Sequence, residues 1–276
     1  MTQSPEDSRP RYSVSQYNAF ADPDKGCPWK WHLEKREKVW QRPAAWLPQG
    51  TAVHAALEEW ERSGRTLSLQ QIQDVFRRVY AEEVNGMLGV TPNLDYWFQS
   101  GPYDGEADIA RRFRIGLEQV ERLHRFLTQR PEAIWVDDDG NPGIEKSFEL
   151  ELDGLIVRGY IDRITALDIR ELLVDDLKTG NSPGGPFQLG TYKVAIEDEY
   201  PDVKVIGGRY LMAGKRGARN AKYEQFDITE FTKESLSERF HRMDDEIRKG
   251  NIPAKPTPDK CRFCSVSYAC EFAFKD

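Results

Sequence analysis

Two stretches of the sequence carry residue types suited to chemistry on a phosphate ester. Gly159-Tyr160-Ile161-Asp162-Arg163-Ile164 is followed by Leu173-Val174-Asp175-Asp176-Leu177-Lys178-Thr179-Gly180. Both read as strands that end in acid. Side chains alternate faces along a strand, so Asp176 and Lys178 share one face while Asp175 points to the other. With Asp162 on the neighbouring strand, two carboxylates and an ammonium converge. Such carboxylates hold Mg²⁺ or Mn²⁺ with open water positions, and the cation stabilises developing charge and polarises an attacking water. Lys178 then positions or activates that water, or neutralises the phosphorane. A lone D-x-K is common, and the same residues would serve as ordinary strand ends and turns. The G-x-x-D partner on a preceding strand is what argues for catalysis.

Three further residues are candidates with an ordinary alternative. His54 lies about 100° round the helix from Val53, at the edge of an apolar stripe. It is either a partly buried histidine bonded to backbone or, as neutral imidazole, a third metal ligand. Gln188 and Tyr192 stand at i and i+4 on a helix that follows the D-x-K strand, and so share a face. They are either amphipathic boundary residues or groups that reach a phosphate or the lysine.

The cysteines are unevenly grouped. Cys27 stands near the start, and Cys261, Cys264 and Cys270 form C-x2-C-x5-C near the end. Three thiols in a short tail, with no secretory signal at the start of the chain, suggest a metal or cluster rather than disulfides. Cys27 is the remaining candidate for a fourth ligand, and ligation there would join the two ends of the chain. Zinc prefers paired C-x2-C knuckles, whereas a four-iron four-sulfur cluster accepts a one-plus-three arrangement. Cluster, zinc and unligated buried thiols all remain open on spacing alone.

The elements that must position these residues fall into three blocks of a single 1–276 unit. Residues 12–130 read as helical: Val53, Ala56, Leu57 and Trp60 recur with helical period, and Ile109, Phe113, Leu117, Val120, Leu123 and Leu127 form a longer stripe ended by Pro131. Residues 144–227 read as the catalytic core. Strands are expected over Ile144 to Leu152, Leu155 to Ile164 and Glu171 to Leu177, with a turn at Asp153-Gly154. A helix follows from Pro186 through Ile196, then strands near Val203 to Met212 and Lys222 to Phe226. Residues 228–276 hold a last helix, carrying Phe231, Leu236, Phe240, Met243 and Ile247 and stopping at Lys249-Gly250, and then the cysteine tail.

The chain has 276 residues, 39% of them hydrophobic and 31% charged, with seven Trp, which suits a soluble globular protein with a sizeable core. The polar stretch Met1 to Arg11 is not a signal peptide, and no apolar run is long enough to span a membrane; a cytoplasmic protein is expected. A net charge of −7 argues mildly against nucleic-acid binding. The objection is weak, because metal-binding carboxylates lower the net charge and DNA meets only a local patch. Candidate patches are Arg111, Arg112, Arg114, Arg122 and Arg125 on one helix, and Lys215, Arg216, Arg219 and Lys222 in one loop. The alternative for each is a solvated charged face.

Taken together, these residues resemble the RecB-like PD-(D/E)XK exonucleases, in particular the CRISPR-associated Cas-four group, the AddB nuclease domain and stand-alone bacteriophage relatives. The resemblance is carried by Cys27-Pro28, His54 in Gly50-Thr51-Ala52-Val53-His54, Glu145 opening a strand, Gly159-Tyr160-Ile161-Asp162-Arg163-Ile164, Asp176-Leu177-Lys178-Thr179-Gly180, Gln188 with Tyr192, and the tail cysteines, in the family's order over nearly the whole chain. It implies an α/β fold with a restriction-endonuclease-like core: a mixed central sheet flanked by helices, with a helical N-terminal block and an iron–sulfur tail. It implies a metal, Mg²⁺ or Mn²⁺, held by His54, Asp162, Asp176 and the Leu177 carbonyl. Lys178 then matches the catalytic lysine, and Gln188 and Tyr192 match a Q-x-x-x-Y motif. Cys27, Cys261, Cys264 and Cys270 match the ligands of a 4Fe-4S cluster. Asp175 is a departure, since an apolar residue is more usual there. The implied activity is metal-dependent exonucleolytic cleavage of DNA, on single strands or free ends. No P-loop motif is present, so unwinding falls to a helicase, recombinase or integrase partner. Two other classes remain: a partner-dependent DNA-end processing subunit, as in CRISPR adaptation or recombination, and a zinc-stabilised, non-catalytic DNA-binding protein.

Overall fold

The computed structural model describes residues 9–130 and 132–274, so Met1 to Ser8 and Pro131, read above as polar start and helix stop, lie outside the described residues. The chain forms two compact units. One comprises Met1–Arg42, Phe148–Gly159 and Phe231–Asp276, and the other Pro43–Ser147 and Tyr160–Glu230.

The larger unit is built on helices and a mixed sheet. Its helices are α3 (Trp46–Arg62), α4 (Leu69–Val90), α5 (Gly105–Thr128) and α6 (Pro186–Glu199). Its strands are β2 (Ala133–Ile134), β5 (Glu171–Lys178), β6 (Lys204–Met212) and β7 (Lys222–Phe226), together with the parts of β3 (Ile144–Leu152) and β4 (Leu155–Ala166) that fall in this unit. β4 pairs antiparallel with β5, β5 parallel with β6, and β6 antiparallel with β7. Period-two alternation on β6 serves two layers. Leu211 joins Val53, Trp60, Phe76, Val120 and Leu123 in a core shared with α3, α4 and α5. Gly208, of opposite parity, lies against Leu189 of α6, where an added Cβ would come within 2.8 Å of the leucine.

The smaller unit holds β1 (Arg11–Tyr12), α1 (Val14–Ala21), α2 (Pro28–Lys35), α7 (Lys233–Arg248) and α8 (Pro258–Arg262). β1 pairs parallel with β4 at Ile156 and Val157. Tyr17 packs on Phe240 and Phe20 on Trp31, and the Tyr12 hydroxyl donates to Asp244. Asp153 and Gly154, both with positive φ, form the two-residue turn between β3 and β4 that their sequence predicts.

The elements differ from expectation mainly at their ends. β5 runs one residue further and takes Lys178 into the strand, β4 runs on to Ala166 and α6 to Glu199, while β6 starts at Lys204 rather than Val203. Phe231 stands outside the last helix, because Thr232 caps it: the Thr232 hydroxyl accepts from the Ser235 N–H in a capping box. The 12–130 stretch is preceded and opened by a strand pair, β1, rather than being helical throughout.

Candidate active site

The site forms where the β4/β5 ladder stops. Regular pairing runs from Ala166↔Leu172 to Arg163↔Asp175 and no further. Beyond it the Asp162 carboxylate accepts the Leu177 N–H at 2.7 Å, taking a donor that the next ladder bond would have used. Two carboxylates on adjacent strands are therefore held at a sheet end where the backbone is already satisfied.

Alternation separates the two adjacent aspartates. Asp176 turns to the α6 side. Its Oδ1 accepts from Gln188 Nε2 at 2.7 Å and from the Tyr192 hydroxyl at 3.3 Å, and Lys178 Nζ lies 2.6 Å from its Oδ2. That ammonium is close but off the line of a good hydrogen bond, so the buried Oδ2 keeps an unsatisfied lone pair. Lys178 also donates to Gln188 Oε1 at 3.1 Å. Asp175 turns the other way, fully buried, and accepts from Arg163 at 2.7 Å and from Arg209 at 2.7 and 2.9 Å. Arg163 also donates to Glu61 of α3 at 3.0 Å. The apolar position usual for the first acid is here a buried ion network behind the site.

His54 projects from α3 to the same sheet end, with Nδ1 3.4 Å from Asp162 Oδ2 and the Leu177 carbonyl against the imidazole. Burial holds its pKa below the usual histidine value, against the pull of Asp176 and Glu145. The ring is thus the neutral form that can donate a lone pair to a cation. Glu145, at the start of β3, was not singled out as a ligand by its residue type. It joins His54 and Asp162 in a group whose ligand atoms all lie within 4.8 Å of one another. Its backbone has φ of +45°, a conformation that glutamate rarely adopts. Among the described residues no side chain forms an ion pair or hydrogen bond with its carboxylate. Burial first, and the Asp162 charge second, raise its pKa to about 7. Burial and Asp176 raise that of Asp162 as well. Two desolvated acids facing each other beside a neutral imidazole, with no ammonium or guanidinium bonded to either, fit a divalent cation.

The PD-(D/E)XK nuclease superfamily model matches residues 11–271. The chain belongs to the PD-(D/E)XK nuclease superfamily. It is 46% identical over 264 residues to the Gene 69 protein of Mycobacterium phage D29, covering 95% of this chain and 96% of the relative. It is 41% identical over 283 residues to the Gene 69 protein of Mycobacterium phage L5, with the same shares covered. A crystal structure from Eubacterium rectale, described as that of a candidate exonuclease, is similar with a TM-score of 0.51 at 14% identity over 100% of this chain and 96% of that one; it supports the fold. PD-(D/E)XK nucleases use divalent metals, and the His54, Glu145 and Asp162 group is the part of this chain suited to one.

The structure brings His54, Asp162, Asp176, Leu177, Lys178, Gln188 and Tyr192 together at one sheet end. It gathers Cys27, Cys261, Cys264 and Cys270 at a separate place, the wall of one pocket in the smaller unit, where none forms a disulfide. Cys27 precedes Pro28 at the start of α2, and its sulfur accepts the Lys255 N–H at 3.4 Å. Lys25, Lys30, Lys255 and Lys260 line the same pocket, and among the described residues no carboxylate does. Burial raises the Cys264 and Cys270 thiols above the usual cysteine value, so they stay protonated until a metal displaces the proton.

Most of the arginine patch on α5 has other work. Arg111 lies 3.2 Å and Arg112 3.6 Å from the buried Asp108, and Arg112 also donates to Gln49. Arg122 is buried, donating to the carbonyls of Ala213, Gly214 and Ala218, and Arg125 donates to that of Arg219. Arg122 and Arg125 thus fasten the 213–219 loop to α5 instead of presenting charge to a phosphate. Lys222 pairs with Glu224, whereas Lys215, Arg216 and Arg219 are exposed.

Proposed function

We propose that this chain is a divalent-metal-dependent deoxyribonuclease acting in the cytoplasm on DNA with free single-stranded ends. The observation that carries the reading is the pairing, at one sheet end, of a His54, Glu145 and Asp162 donor group with the Asp176, Lys178, Gln188 and Tyr192 network. His54, Glu145, Asp162, Asp176 and the Leu177 carbonyl would hold Mg²⁺ or Mn²⁺. When bound, the metal supplies charge for the scissile phosphate and a more acidic water.

The chain's own residues do the rest. Gln188 accepts from Lys178 and donates to Asp176, so it holds the ammonium and the carboxylate in a fixed relation. Lys178 is partly exposed, which lets it meet a water or a phosphate oxygen. Tyr192 keeps its proton, since burial lifts its pKa well above the ordinary value; its hydroxyl donates to Asp176 and accepts from the Gln188 amide, which steadies both. Leu177 N–H fixes Asp162, leaving that carboxylate's other oxygen for a cation.

Cys27, Cys261, Cys264 and Cys270 are proposed to hold a structural 4Fe-4S cluster. Four thiolates give such a cluster a net negative charge, which the pocket favours, being lined among the described residues by lysines and by no acid. The mycobacteriophage relatives support placing this chain with the stand-alone phage members. No helix among the described residues is long and apolar enough to cross a membrane. A helicase, recombinase or integrase partner would supply the strand. The test uses end-labelled linear and circular single-stranded DNA with anaerobically purified protein. Loss of linear strands with Mg²⁺ or Mn²⁺, survival of circles, and no cleavage in chelator are expected. Efficient cutting of circles would replace the exonuclease reading with an endonuclease.

A further inference from the structure

Tyr160 is an exposed aromatic on a strand of the larger unit. Tyr192, Tyr200, Tyr210 and Tyr223, which follow it in that unit, are each at least partly buried and each bonded through the hydroxyl. Tyr160 is 62% exposed. Among the described residues it makes no hydrogen bond, ion pair or ring contact. Exposing a ring on a strand usually needs a reason, because an unpartnered aromatic loses the burial that makes it useful in a sheet.

Its position on β4 supplies one. Residues two apart on a strand share a face and stand about 6.6 Å apart. Tyr160 therefore shares its face with Asp162, while Ile161 and Arg163, on the other face, are buried. The antiparallel register fixes which end of the sheet this is. Regular β4/β5 pairing ends at Arg163↔Asp175, and Asp162 and then Tyr160 follow beyond that end. The ring consequently belongs to the stretch of β4 past the ladder, two residues from the Asp162 carboxylate.

We infer that Tyr160 is a stacking platform for the nucleobase next to the scissile phosphate, and so a residue that selects single-stranded over duplex substrate. The inference rests on the proposed reading of the site as one for DNA phosphodiesters. A phosphate at the Asp162, Asp176 and Lys178 group leaves its neighbouring base about one nucleotide away, within reach of a ring two strand residues from the carboxylate. Bases in a duplex have both faces covered, whereas an unpaired base has a free face to lay on an aromatic ring. Stacking of this kind also tolerates any base, which a nuclease without sequence preference requires.

The experiment measures binding of a short fluorescein-labelled oligothymidylate to the full chain by anisotropy. Asp176→Asn is the common background, so that nothing is cut. Tyr160→Ala and Tyr160→Leu are expected to weaken binding by roughly five- to a hundredfold, the range for loss of one stacked base, whereas Tyr160→Phe and Tyr160→Trp retain it. An abasic site beside the bound phosphate should weaken the parent by a similar factor and the Tyr160→Ala chain hardly at all, since the two changes remove one contact. Equal binding by parent and Tyr160→Ala, or an abasic penalty undiminished in Tyr160→Ala, overturns the inference. Cleavage of linear strands by the wild-type protein with Mn²⁺ is scored alongside. Cleavage without dependence of binding on Tyr160 leaves the nuclease reading standing and the platform refuted. Tyr160-dependent binding without cleavage does the reverse.

Discussion

At the scale of the residue, two acids side by side have different work. Asp176 faces Lys178, Gln188 and Tyr192, and Asp175 holds Arg163 and Arg209. Asp176→Asn, Asp162→Asn and Lys178→Ala are expected to come close to abolishing cleavage while leaving the absorbance of the proposed cluster intact. Asp175→Asn removes the counter-charge of two buried guanidiniums, a kind of loss that costs about 3–5 kcal/mol. It should lower the melting temperature by on the order of 10 °C, yet leave cleavage well below that temperature largely intact. An inactive but thermally unchanged Asp175→Asn would mean that the strand faces are exchanged. The D-x-K alternation made this division legible in advance, because parity needs no tertiary information. Glu145 was not legible as a ligand. A glutamate opening a strand has no special spacing, and its positive φ and its approach to His54 arise only from packing. Asparagine tolerates that backbone better and carries no charge. Glu145→Asn is therefore expected to raise the stability of the metal-free protein and to weaken Mn²⁺ binding, read by calorimetric titration; unchanged Mn²⁺ affinity would remove Glu145 from the donor set. The same carboxyls predict a pH dependence. A folded-state pKa raised from 4.5 to about 7 means that the native protein holds the proton longer than the unfolded chain. Metal-free stability should then fall as pH rises through that window, with Asp162 acting in the same direction. Mn²⁺ needs the ionised forms, so the rise in melting temperature it causes should grow from pH of about 5 to about 8. A shift of equal size at both ends would count against these carboxylates as ligands.

At the scale of the element, the strands were readable because their apolar alternation and the Asp153-Gly154 turn are local signals. The ends were less so, since a capping threonine or a ladder that stops early depends on the neighbour. Two features of the helical layer could not be read at all. Arg122 looks like any surface arginine on an amphipathic helix, and only the fold shows three loop carbonyls waiting for it. Gly116, in the middle of α5, costs that helix about 1 kcal/mol against alanine. The cause is Phe76 of α4: a Cβ at Gly116 would come within 2.2 Å of the ring. Gly116→Ala should therefore lower stability despite its better propensity, by about 1–3 kcal/mol from overpacking. Urea denaturation would read this, and a stabilised Gly116→Ala would show that the ring moves aside freely.

At the scale of the whole molecule, Met1–Arg42 and Phe231–Asp276 belong to one unit, and His54, Asp162, Asp176 and Lys178 belong to the other. The cysteine spacing anticipated the first fact, because Cys27 could meet the tail thiols only if the chain ends meet. What spacing left open was the bound species, since thiols report neither charge nor neighbours. Among the described residues the wall of the pocket is lined by lysines and by no acid, which favours an anionic centre over neutral, unligated thiols. Freshly purified protein should accordingly be brown, with about four irons and four sulfides per chain. A colourless protein holding one zinc would refute the cluster. Cys27 is the one proposed ligand from the N-terminal segment, so Cys27→Ser is expected to release a closure spanning more than two hundred residues and let α1 and α2 detach more readily from α7. Because the cysteines and the carboxylates sit in different units, the loss should be confined. Hydrogen exchange should accelerate in Pro28–Lys35, Lys233–Arg248 and the tail, while Mn²⁺ affinity and protection of β5 and β6 stay near wild type. Equal loss of protection in β5 and β6 would mean that the cluster supports the entire chain, and the cysteines would then be part of what keeps the catalytic strands in register.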